Sequence, residues 1–88
     1  MKLAFTRKFD KQVGKISNKK LSEKIMRIIN EAENADSIKD LKNLKKLAGY
    51  KFHYRIRLGD YRIGLYLNDD TLEFAAFDYH KDIYKYFP

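Results

Sequence analysis

The sequence predicts an α+β domain with two N-terminal helices packed on one face of a small antiparallel sheet, in the order β-α-α-β-β-β with a short C-terminal tail. Two observations carry this reading. Apolar residues of the first half recur at helical spacing, and from Tyr50 the period changes to two and holds to Asp78. The chain has 88 residues, no Pro/Gly-rich linker and a single proline, Pro88, so residues 1–88 are read as one domain.

Leu3 and Phe5 alternate with polar or small neighbours and suggest a short first strand, after which Thr6 can cap a helix. Phe9, Val13 and Ile16 fall at i, i+4, i+7, so residues 7–16 read as an amphipathic helix, weakened at Gly14 by about 1 kcal/mol relative to Ala. With Ser17 as N-cap, Leu21, Ile25, Ile28, Ile29 and Ala32 line one face of a second helix, and Lys20, Glu23, Lys24, Arg27 and Glu31 the other. Ser37 and Asp40 have capping-box spacing. Ile38, Leu41, Leu44 and Leu47 step by three, which predicts one or two tight turns on the core, ended by Gly49.

Tyr50, Phe52, Tyr54, Ile56 and Leu58 then alternate with Lys51, His53, Arg55 and Arg57, giving a strand with one apolar and one basic face. Gly59-Asp60 makes a turn into Tyr61, Ile63, Leu65 and Leu67, which alternate with Arg62, Gly64 and Tyr66. Asn68-Asp69-Asp70 makes the next turn, and the last strand, Thr71 to Asp78, is expected to turn Leu72, Phe74 and Ala76 inward. The tail from Tyr79 has room for little more than one helical turn, with Ile83 and Phe87 fixing it against the sheet.

Zero Cys excludes a disulfide scaffold, a thiolate metal site and a cysteine nucleophile, and two His are a poor basis for a metal site. Neither a metal nor a small-molecule cofactor is expected. No apolar run approaches the ~20 residues of a membrane span, and the opening residues become charged again by Arg7, so a cytoplasmic protein without a membrane partner is expected. Nineteen Lys and Arg against twelve Asp and Glu give a net charge of +7, which favours a polyanion or an acidic protein as partner, nucleic acid ahead of an anionic membrane surface.

Residues 1–46 hold thirteen basic and six acidic side chains, and residues 47–88 six of each, so a basic site in the second half must arise by arrangement. Strand alternation supplies it. Lys51, His53, Arg55 and Arg57 share the face away from the helices, and pairing across the Gly59-Asp60 turn adds Arg62. A solvated strand face is polar in any case, but this one has no interleaved acid, and like charges stacked along a strand cost stability that a bound anion would offset. Tyr66, Tyr79, Tyr84, Tyr86 and Phe87 lie on or beside the face, and single-stranded bases stack on such rings. Tyr50, Tyr54 and Tyr61 are inward by alternation and read as core, while Tyr84 suits stacking and packing equally.

Leu47-Ala48-Gly49-Tyr50, the basic alternation after it, Gly59-Asp60-Tyr61-Arg62 and the closing His80-Lys81-Asp82-Ile83-Tyr84-Lys85-Tyr86-Phe87-Pro88 resemble the RelE/ParE superfamily of toxins from bacterial toxin–antitoxin pairs, on the RelE-like side. The resemblance spans the whole chain and implies the same fold. It further implies a ribosome-dependent endoribonuclease that cuts mRNA in the vacant A site and halts translation, neutralised by a cognate antitoxin protein. Family members place basic residues on the strand matching His53 and Arg55, an arginine at the position of Arg62, and a basic residue and a tyrosine in the C-terminal segment. Those last two map onto His80 or Lys81, and onto Tyr84. The family often has lysine where this chain has His53.

Metal-free RNA cleavage needs a base for the 2′-OH proton, cations for the charge developing on the phosphate and an acid for the leaving 5′-oxygen. Arginine does not deprotonate in proteins, so Arg55, Arg57 and Arg62 are assigned to phosphate binding and transition-state stabilisation. His53 and His80 are both acid–base candidates, and Tyr84 can stack on a base or donate a proton. Lys51 and Lys81 are assigned to backbone phosphates. Two other readings share the fold: a ParE-like toxin that inhibits gyrase without nuclease activity, and a non-catalytic RNA-binding domain.

Overall fold

In the computed structural model, which describes every residue from Met1 to Pro88, Thr6 turns strand into helix. Its hydroxyl accepts from the Phe9 amide at 3.0 Å and donates to the Ala75 carbonyl at 2.7 Å, tying the start of a helix to the sheet. Strand β1 (Lys2–Phe5) precedes that cap, and α1 (Arg7–Gly14) follows it. Helix α2 (Lys19–Asn34) is capped by the Asn18 side chain, which accepts from the Leu21 amide, one residue later than Ser17. The Ser37–Asp40 capping box forms and opens a short 3₁₀ turn, Ile38–Asp40.

The second half holds β2 (Leu44–Lys46), β3 (His53–Leu58), β4 (Tyr61–Asn68), β5 (Thr71–Tyr79) and a single-turn helix, α3 (His80–Ile83). The sheet order is β1-β5-β4-β3-β2, with β1 parallel to β5 and every other pair antiparallel. Phe9, Ile25 and Ala32 of the helices bury against Ile56, Ile63, Leu65, Leu72, Phe74 and Phe77 of the sheet. Gly59 at φ 59° makes the tight reversal between β3 and β4.

Three sequence expectations are corrected. Leu44 does not sit in a tight turn. Asn43 at φ 62° redirects the chain so that Leu44 pairs with Ile56, and the three-step spacing gives way to a fifth strand at the sheet edge. The first long strand begins at His53 rather than Tyr50, because the Leu47 amide bonds the His53 carbonyl at 2.9 Å and closes residues 47–53 into a loop. Tyr50 and Phe52 are therefore 44% and 58% exposed instead of core, and Lys51 stands on this loop rather than on the sheet face.

The third correction is on β5. Gly64 pairs with Ala76 and Leu65 with Phe74, leaving Ala75 as an extra residue in a bulge. The bulge reverses the alternation, so Phe77 joins the main core while Ala76 turns to the other face. There Ala75 and Ala76 receive Ile83 and Phe87 from the tail, flanked by Leu47 and Tyr66, as a second small core. The tail thus lies across the sheet face opposite the helices.

Candidate functional site

That outer face is organised by cross-strand register. Lys45, Arg55, Gly64 and Ala76 form one row, Arg57, Arg62 and Asp78 a second, and His53, Tyr66 and Glu73 a third. Lys45 adds a cation that alternation from Tyr50 did not reveal, because its strand was not expected. The sequence signal for it is the Leu44-Lys45-Lys46-Leu47 pattern, too short to distinguish strand from turn.

None of the three arginines is neutralised. The only ion pairs in the chain are Lys2–Asp70 at 4.0 Å and Lys85–Asp82 at 3.3 Å, and neither includes an arginine. Asp78 is the cross-strand partner of Arg62, yet its carboxylate accepts from the Tyr86 hydroxyl at 2.9 Å and from the Tyr79 amide at 2.8 Å. Arg62 instead donates from Nη1 to the carbonyls of Gly59 and Tyr61, each at 2.8 Å. Those bonds hold the guanidinium over the β3–β4 turn, and its remaining donors keep their capacity for a phosphate.

His53 is half-buried among rings: Tyr50 at 4.9 Å, Tyr66 edge-on at 4.5 Å and Phe87 at 5.7 Å between centroids. Its Nδ1 is enclosed without a hydrogen-bond partner, so Nε2 is the ring nitrogen left for a ligand. Phe87 approaches because position 64 is glycine, since a Cβ there would lie 2.6 Å from the Phe87 ring.

The tail is held by a network that sequence reasoning missed. Gln12 of α1 donates from Nε2 to the Tyr86 hydroxyl at 2.7 Å and accepts at Oε1 from the Phe77 amide at 2.8 Å, while Lys8 Nζ lies 3.9 Å from the Tyr86 ring centroid. Burial, together with the Asp78 carboxylate, pushes the Tyr86 hydroxyl pKa up. His80 is exposed at the start of α3, its amide bonded to the Asp60 carbonyl at 2.9 Å. That places it at the turn end of the sheet, beside the Arg57–Arg62 row, whereas His53 lies at the opposite end of β3. Lys81 is exposed next to His80, and Tyr84 is 43% exposed just past α3.

Chains with this architecture, two helices on one face of a small sheet whose other face is crossed by the C-terminal tail, occur in toxin–antitoxin complexes. The fold superposes with TM-score 0.80 on a chain of the RelB–RelE antitoxin–toxin complex from Methanococcus jannaschii, at 40% identity over 97% of this chain and 99% of that one. It also matches the archaeal RelE–RelB complex from Pyrococcus horikoshii OT3, with TM-score 0.74 at 20% identity over 92% of this chain and 96% of that one. No protein-family model matches the sequence. The sequence is 42% identical over its full length to toxin RelE3 of Methanocaldococcus jannaschii, with all of both chains aligned. The chain therefore belongs to the RelE family and is the toxin of a RelBE-type toxin–antitoxin system.

Proposed function

We propose that this toxin is an endoribonuclease that enters the ribosomal A site in the cytoplasm, cuts the mRNA there and so stops translation, and that a cognate antitoxin neutralises it. The observation that carries the reading is the set Arg55, Arg57 and Arg62, three guanidinium groups on one sheet face without a carboxylate within 4.0 Å, beside the half-buried ring of His53. An unneutralised cationic face is a phosphate-binding surface. The full-length likeness to a RelE toxin favours this reading over a ParE-like gyrase inhibitor. The antitoxin partner is supported by the RelB–RelE complexes whose toxin chains share this fold.

In the reaction, the substrate 2′-hydroxyl gives its proton to a general base and its oxygen attacks the adjacent phosphorus. The P–O5′ bond breaks, the leaving oxygen takes a proton from a general acid, and the strand ends in a 2′,3′-cyclic phosphate. Either His53, through Nε2, or His80 serves as the acid–base group, and Arg55 and Arg62 stabilise the charge that grows on the non-bridging oxygens. The two histidines lie at opposite ends of β3, so the reacting phosphate meets one of them, and the other holds flanking phosphates with Lys51, Arg57 and Lys81, while Tyr84 stacks on a base or donates a proton on the His80 side.

The test is cleavage of mRNA on ribosomes programmed with a vacant A site. Purified toxin should cut within the A-site codon, and the Arg62→Ala variant should cut about 10²- to 10³-fold more slowly. Intact mRNA with wild-type toxin, under conditions where translation is nevertheless blocked, would remove the nuclease assignment.

A further inference from the structure

Beside the arginines, on the β1 side of His53, the outer face opens into a cavity of about 430 Å³ lined by Phe52, His53, Tyr66, Asn68 and Glu73 among others. The third cross-strand row, His53–Tyr66–Glu73, forms its floor. Glu73 is half-buried there and has neither an ion pair nor a hydrogen bond. Phe52 stands over the cavity with 58% of its surface exposed, because the loop before β3 carries it outward instead of into the core. An unpaired carboxylate with an exposed aromatic ring beside it, adjoining a phosphate-binding face, is a combination that the cleavage chemistry does not use.

We propose that this cavity is a nucleobase subsite in which Glu73 selects bases whose Watson–Crick edge donates N–H groups. A phosphate is excluded by the charge of Glu73, whereas a neutral base is not. Guanine presents two adjacent N–H donors that match the two carboxylate oxygens, and adenine and cytosine each present one amino group. Uracil offers one N–H between two carbonyl acceptors, which the carboxylate repels. Phe52 and Tyr66 supply the stacking surface. The row sits two residues along β3 from Arg55, about 6.7 Å, so a strand whose phosphate rests on Arg55 brings a base over the cavity. That continuity favours RNA over an arginine or lysine side chain of a protein partner.

The inference rests on the RNA-binding part of the proposed function and not on cleavage. Its test therefore uses 2′-O-methyl RNA octamers, which lack the attacking hydroxyl, with binding read by fluorescence anisotropy. An all-uracil octamer is compared with octamers carrying one central guanine, adenine or cytosine. The guanine octamer should bind about tenfold tighter than the all-uracil one. Glu73→Gln should abolish that difference without weakening all-uracil binding, and Phe52→Ala should weaken every octamer by a similar factor. Equal binding of all octamers by the wild type, or a preference that survives in Glu73→Gln, overturns the proposal. So does binding of a short arginine peptide that Glu73→Gln abolishes while bases are not distinguished, which assigns the cavity to a protein partner. A base preference that depends on Glu73 in a protein that fails to cut ribosome-bound mRNA leaves the subsite standing and removes the nuclease reading.

Discussion

The ring of Phe87 fills the space that a side chain at Gly64 would need: a Cβ there would fall 2.6 Å from both Cδ2 and Cε2 of the ring. One residue without a side chain in the central strand thus lets the tail lie flat on the outer face. Phe87 is 3% exposed in that position, and its ring closes one side of the environment of His53. The contact couples the stability of the tail to the geometry of the candidate site.

Gly64→Ala should therefore lift the tail and cost about 1–3 kcal/mol, and Phe87→Ala about 3–5 kcal/mol. The double variant should lose less than the sum, with a coupling of about 0.5–3 kcal/mol in urea unfolding, since the added methyl has nothing to strike once the ring is gone. Strict additivity would mean that the two residues do not meet in solution.

Tyr86→Phe keeps the ring over which Lys8 sits and removes the hydroxyl that joins Gln12 to Asp78. A loss of about 1 kcal/mol at neutral pH is expected. The pH dependence has a definite sign. Folding raises the Tyr86 pKa above its ordinary value of 10.0, so the protonated form is favoured in the native state. Its contribution is whole below pH 10.0 and is lost as the pH rises through the native value. Tyr61 is pushed the same way, chiefly by the hydroxyl of its stacked neighbour Tyr79, so the variant should show a shallower alkaline decline, not a flat one. Parallel wild-type and Tyr86→Phe stability curves above pH 10.0 would contradict the assignment.

Arg62→Ala should reduce mRNA cleavage about 10²- to 10³-fold, as for the loss of one charge-stabilising donor. It also removes the two bonds to Gly59 and Tyr61, so a stability loss of about 1 kcal/mol should accompany it in thermal unfolding. A stably expressed variant that still arrests growth would take Arg62 out of the catalytic set.

His80 and Tyr84 are exposed, so His80→Ala and Tyr84→Ala should leave the melting temperature nearly unchanged. Cleavage on the ribosome should fall sharply in both, with ribosome binding falling much less. Equal losses of binding and cleavage would favour a non-catalytic RNA-binding domain.

Arg55 and Arg57 have no carboxylate partner to release, so the contribution of each to RNA binding should come through counterion displacement. Replacing either by Ala should lower the slope of log K against log salt for single-stranded RNA by about 0.7. An unchanged slope would place that side chain off the RNA path.

Sequence alone determined the two helices, the β3–β4–β5 meander and the alternation that sets Arg55, Arg57 and Arg62 on one face, because these are periodicities within one element or across one short turn. Tertiary structure decided the rest. Leu44 became strand because an unpaired edge of β3 was available to it, and Ala75 became a bulge because β4 and β5 slipped by one residue at Gly64. The environment of His53 depends on Phe87, and the hold on the tail depends on Gln12, 74 residues from Tyr86 in the chain. No local pattern encodes such meetings, since they arise only when separate elements, each already formed, compete for the same outer face of the sheet.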